Sequence, residues 1–202
     1  MAKVMASLRH CTGNLAGFSG RDTPGQFWPW AILVFLLGTI ASTAIMLPPM
    51  MRAMITMFRT LEAARRAGAR EPTQEQLRDA FMSQYGADFS ALWLPIGAIS
   101  LVSALLLAAA IVRRLHDRDR TGLWALMPLP FMVFSIANMA TGIAFAPGRR
   151  GLTATELAAS SAGSLYIIAG IVLIVLLVGD GTRGPNRFGP DPRESGSLDK
   201  QR

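Results

Sequence analysis

Residues 113–122 read RRLHDRDRTG, and seven of those ten side chains ionise. Arg113 and Arg114 offer adjacent planar forks, the side chains best shaped to hold a phosphate or carboxylate in two places. His116 beside Asp117 suggests a general base or a proton-sensitive group. Sequence neighbours on a helix point about 100° apart, however, so the two are poor partners for each other. Asp117 is better placed to pair with Arg113 or Arg114, at spacing four or three, or else to open a turn to Gly122. Two more polar stretches deserve the same reading: GFSGRDTPGQFW over 17–28 and GDGTRGPNRFGPDP over 179–192. In the last, glycines and prolines fix the backbone path. Asn186 and Arg187 sit inside that frame, with Phe188 able to dock against neighbouring helices.

Other chemistries lack their residues. Two His and one Cys make a poor ligand set, and His10–Cys11 would need donors from elsewhere. The carboxylates Asp117, Asp119, Asp180 and Asp191 suit a hard cation, but arginines crowd them. No GxSxG or Ser–His–Asp pattern is present, and GDGTRG lacks the GK[ST] ending of a phosphate loop. The expectation is no metal, no cofactor and no catalytic residue.

The elements that must position these motifs are apolar. The chain has 202 residues, 51% hydrophobic and 16% charged, against about 25% charged in a soluble domain. Four runs, 27–47, 91–112, 123–146 and 157–178, contain no Asp, Glu, Lys, Arg or His. A membrane-spanning helix needs about 20 apolar residues, so each run is long enough. The third is the weakest, carrying Pro128, Pro130 and Asn138. The fold expected is all-α: a four-span transmembrane helical bundle, one domain over 1–192, with a disordered tail over 193–202. Small residues such as Gly38, Ser42, Ala159 and Gly163 suit close helix contacts, within the bundle or between copies in a homo-oligomer. Spans without ionisable groups argue against a pump or proton-coupled transporter.

Residues 1–26 lack the apolar core of a signal peptide and read as a flexible terminus, so the first span would direct insertion. Cys11 is alone, so no intramolecular disulfide forms. Net charge is +7. With the N-terminus inside, twelve of the 20 Lys and Arg fall on the cytoplasmic side, which favours both termini there. With four spans the three polar motifs share one membrane face whichever way the chain is inserted.

Residues 48–90 are more than a loop. Pro48–Pro49 should kink or end the first helix. Leu47, Met50, Met51, Met54, Phe58 and Leu61 then share one helical face, and Arg52, Arg59 and Arg66 another. That pattern fits an extra amphipathic helix in the headgroup region, or an outward extension of the first span. A second short helix is expected from Pro72, carrying Leu77, Ala80, Phe81 and Tyr85, with a break at Gly86 and Asp88.

The three polar motifs, in this order and each beside a span, resemble the domain of unknown function 805 family of bacterial inner-membrane proteins. The resemblance rests on Phe18, Ser19, Gly20, Arg21, Phe27 and Trp28. It continues through Arg113, Arg114, Leu115, His116, Asp117, Gly122 and Trp124. It ends on Gly184, Pro185, Asn186, Arg187, Phe188, Gly189, Pro190, Asp191 and Pro192. The chain departs from the family pattern at Pro24 and Gln26, where members often carry Arg and Glu. The resemblance implies a multi-pass inner-membrane protein and no particular activity.

The function expected is a non-enzymatic binding or scaffold role. In it a cytoplasmic cap takes an anionic lipid headgroup or a partner. Arg21, Arg113, Arg114 and Arg187 would supply charge, and His116, Asp117 and Asn186 would orient them. The alternatives are a small transporter or channel component, and an enzyme acting on a lipid headgroup with His116 as base. Nucleic acid is not expected as a partner, since a membrane already explains the basic charge.

Overall fold

A computed structural model describes residues 1–66, 68, 73–140 and 154–193. Every regular element among them is helical: α1 (Ala2–Gly13), α2 (Pro24–Arg66), α3 (Gln74–Asp117), a 3₁₀ turn (Gly122–Leu126), α4 (Leu129–Ala140) and α5 (Ala154–Val178). Two helical stretches are long and apolar enough to cross a membrane, α2 and the Leu94–Asp117 part of α3. Two described apolar stretches are shorter, Gly122–Phe134 and Gly163–Val178. The third expected run therefore divides into the 3₁₀ turn and α4, and its end at 141–146 lies outside the described residues. The expected tail is likewise outside them beyond Arg193.

Three local expectations change. The terminus before residue 14 is a helix, not a flexible lead. Pro48–Pro49 do not end the first helix: α2 runs on for 43 residues, about 65 Å at 1.5 Å per residue. Two missing N–H groups cost their hydrogen bonds, but the turns on either side keep theirs. Gly86 and Asp88 do not break α3, which runs unbroken for 44 residues with Pro95 inside it. The extra amphipathic segment is thus the far half of α2 and the near half of α3. Pro72 is outside the described residues. The start of α3 is fixed by Thr73 as N-cap: its Oγ1 accepts from the Gln76 N–H, and the Gln76 side chain accepts from the Thr73 N–H. This is the reciprocal box that satisfies two orphan donors of a helix start.

The chain divides into two compact units. One comprises Met1–Gly38, Ser100–Phe131 and the residues from Ser164 on; the other comprises Thr39–Ile99 and Met132–Gly163. In the first, Cys11, Phe27, Trp30, Val34, Ala110, Leu115, Leu173 and Leu177 make a continuous core. Trp30 buries its ring there and donates its indole N–H to the Leu106 carbonyl at 3.1 Å. In the second, Ala53 is buried on α2, while Met50, Met51, Met54 and Phe58 are exposed.

The distribution of side chains is inverted relative to a water-soluble domain. Ile32, Phe35, Leu37 and Ile40 of α2, Leu101 and Leu105 of α3, and Ile167, Ile171 and Val175 of α5 are exposed. The buried polar residues include Arg21, Asp22, Arg113, Arg114, Asp117 and Asp191.

Candidate functional site

Those buried charges form one network within the first unit, where α3 ends. The end is set by a Schellman turn. Arg120 N–H donates to the Leu115 carbonyl and Asp119 N–H to the His116 carbonyl. Asp119 takes the left-handed conformation, φ 55°, which usually falls to glycine. The last turn of α3 presents Arg113, Arg114 and Asp117 inward, all nearly inaccessible.

Asp117 is the hub. Its Oδ1 accepts from Nε and Nη2 of Arg21, at 3.2 and 3.0 Å. Its Oδ2 accepts from Nη1 of Arg114 at 2.5 Å. Its backbone carbonyl accepts from the Thr182 amide and hydroxyl, at 2.8 and 3.1 Å. Gly181 lies so close that a Cβ there would run into the Asp117 carboxylate, so only glycine fits that turn.

Asp22 is the second anion, fully buried. Its Oδ2 accepts from Nε of Arg113 at 2.9 Å, and its Oδ1 contacts Nε2 of His10 at 2.9 Å. The Asp22 N–H donates to the Arg113 carbonyl, so backbone and side chain both tie the segment before α2 to the end of α3. Asp191 is the third. It caps the tail turn by accepting from the Arg193 and Gly184 amides, each at 3.0 Å. The Arg193 N–H, more than any other neighbour, holds its carboxyl below the ordinary value of 3.8, against the opposing effect of burial.

The arginines are engaged within the chain. Arg21 donates to Asp117 and to the carbonyls of Thr182, at 2.6 Å, and Gly184, at 2.7 Å. Arg113 donates from Nη1 to the carbonyls of Asn14 and Gly17. Arg114 donates from Nε to Leu177 O at 3.0 Å and from Nη2 to Gly179 O at 2.6 Å. Leu177 and Gly179 stand at the end of α5, whose last carbonyls need donors. Arg118 serves the same end, reaching Val175 O and Leu176 O.

The remaining candidates lie around this clasp. Asn186 donates to the His116 carbonyl at 2.9 Å and to Thr182 Oγ1 at 3.0 Å, while its Oδ1 accepts from the Phe188 N–H. The His116 ring stacks on Phe188, centroids 3.9 Å apart and nearly parallel, with Nδ1 3.3 Å from the Gly20 carbonyl. Among the described residues no carboxylate pairs with it. Arg187 is on the exposed rim, paired with Asp119 at 3.0 Å and over the Phe188 ring. Arg21, Arg114, His116, Asp117 and Asn186 therefore share one bonded network. Arg113 joins it through Asp22, whose carbonyl also faces Arg114 Nη1 at 3.4 Å. Arg187 touches its outer side.

Sequence reasoning missed Asp22, Thr182 and His10. Asp22 had a signal: it follows Arg21 directly, and buried arginines require carboxylates. His10 had none, because α1 was not foreseen. Among the described residues no group of His, Cys, Asp and Glu could hold a metal ion.

No curated protein and no solved structure matches the chain. A family model described as "Protein of unknown function (DUF805)" matches residues 15–190, a stretch that holds the first two polar motifs, the third as far as Pro190, and the clasp carboxylates Asp22 and Asp117. Arg21, Asp22, Arg113, Arg114 and Asp117 thus fall within the matched region while α1 falls before it, and the chain belongs to the DUF805 family.

Proposed function

We propose that this chain is a four-span bacterial inner-membrane protein with both termini cytoplasmic. We further propose that its polar cap is a scaffold clasp rather than a catalytic centre. The observation that carries the clasp reading is where the arginine donors end. Arg21, Arg113 and Arg114 spend their forks on Asp22, Asp117 and the carbonyls of other segments, leaving little to offer a ligand. A buried cation that binds substrate would instead keep donors aimed at a cavity. The membrane reading draws support from the outward apolar faces. Only 17% and 11% of the most apolar windows of the two long helices is buried, whereas a soluble core helix buries most of its apolar surface.

Native mass spectrometry of the purified protein tests the clasp. Wild type and Arg113→Gln/Arg114→Gln should carry the same lipids, with the variant less stable. A specific anionic lipid retained by wild type and lost by a folded variant would overturn the reading in favour of a binding site. Orientation is tested on intact spheroplasts with an impermeant maleimide in a Cys11→Ala background. Thr60→Cys should label from outside, and Thr121→Cys only after permeabilisation. The reverse pattern would invert the topology.

A further inference from the structure

α1 lies outside the family match and joins the clasp only through His10, and it leaves a face uncovered. Met1 at its N-cap and Val4, Met5 and Leu8 within it recur at i, i+3, i+4 and i+7, one continuous apolar arc. Leu8 packs on the core; Met1, Val4 and Met5 remain exposed. The adjoining side is docked by Ser7 and Cys11, both buried. Ser7 Oγ donates to the Gln26 carbonyl at 2.5 Å, and Cys11 Sγ reaches the same oxygen. Gln26 is the last polar residue before the apolar run that begins at Phe27. α1 is thereby pinned at the level where α2 turns from polar to apolar. Asp22 fixes the other contact, through His10.

The charge around this arc has one sign. Residues 1–21 contain Lys3, Arg9, His10 and Arg21 and no Asp or Glu. Lys3 and Arg9 are exposed. The nearest acid, Asp22, is buried and already paired with His10 and Arg113. Arg9 lies one turn from Met5, and Lys3 precedes Val4 in sequence; an apolar strip with exposed cations near it, held at the end of a span, has the chemistry of a helix lying in the surface of an anionic bilayer.

We propose that α1 is an interfacial helix: Met1, Val4 and Met5 enter the acyl boundary of an anionic bilayer, and Lys3 and Arg9 meet its headgroups. This rests on the membrane reading above. The test uses full-length protein in nanodiscs containing phosphatidylglycerol and doxyl-labelled lipid, with Cys11→Ala as background. An environment-sensitive fluorophore is placed singly at Met5→Cys, at Ala6→Cys on the solvent side, and at Phe35→Cys on α2. Quenching is expected at positions 5 and 35 and not at 6. With Lys3→Gln/Arg9→Gln, quenching at position 5 should fall to the level seen in pure phosphatidylcholine.

Quenching at 35 with none at 5 overturns the inference and leaves the membrane reading standing. No quenching at 35 removes the membrane reading itself, and the inference with it. Quenching at 5 that ignores phosphatidylglycerol and the two cations overturns the anionic part. Shielding of position 5 in detergent that grows with protein concentration assigns the face to a second copy instead.

Discussion

Arginine does different work in the two compact units of this chain. In the cap, Arg21, Arg113 and Arg114 are buried, bonded across 96, 91 and 65 residues of sequence to carboxylates and carbonyls. On the far half of α2, Arg66 is exposed and bonds to Glu62 one turn earlier on the same helix. Both are Arg–carboxylate contacts of about 3 Å. What separates them is the cost of losing a partner. Water replaces Glu62 at once. Nothing replaces Asp117, and a buried charge left alone is among the most destabilising defects a fold can suffer.

The sharpest way to test that contrast is Asp117→Ala. It strands Arg21 and Arg114 together and should cost about 3–5 kcal/mol, read as a large fall in the unfolding midpoint in detergent. A loss no greater than that of an exposed pair would mean that the cap arginines are hydrated after all. Next comes Gly181→Ala, which leaves every charge in place but forces a Cβ toward the same carboxylate. Overpacking of this kind costs about 1–3 kcal/mol, and thermal unfolding checks it. An unchanged midpoint would show that the tail does not press on Asp117.

Acid should act more locally. The Asp191 carboxyl is depressed in the fold, so the stability it lends is present above its unfolded value, near 3.8. That stability is lost as pH falls through the folded value. Hydrogen exchange of the Gly184 and Arg193 amides should therefore rise at strongly acidic pH once the intrinsic pH dependence of exchange is removed. Asp191→Asn should abolish that extra rise. Smallest of all is Glu62→Gln, expected to change stability by only about 0.3–0.5 kcal/mol, as for an exposed i,i+4 pair. A loss of several kcal/mol there would erase the distinction between the two regions.

Much of this was legible in advance, but unevenly. Spans without charge are written residue by residue, because apolar length is a one-dimensional property. The Asp117–Arg114 pair follows from helical spacing of three. The partners of Arg21 and Arg113 do not, since they depend on which segments meet at the end of α3. Thr182 and Gly181 were hidden for the same reason: their importance lies in a close backbone approach that no local pattern announces. Pro48–Pro49 misled because proline rules describe local cost, and a helix with many turns on both sides absorbs that cost. For Arg113 and Arg114 the sequence left anchoring and anion binding both open, because an unpaired arginine and a satisfied one have the same letter.

The clasp also orders events in time. Arg21 is made early, yet its carbonyl partners at Thr182 and Gly184 follow 161 and 163 residues later. Arg114 likewise waits for Leu177 and Gly179. Until those residues leave the ribosome, the early helices hold cations with unmet donors. A chain interrupted before residue 177 can never close its cap. Such a product would leave Arg21 and Arg114 short of the carbonyls they bond in the fold, so closure of the cap reports that synthesis has passed the 177–184 segment.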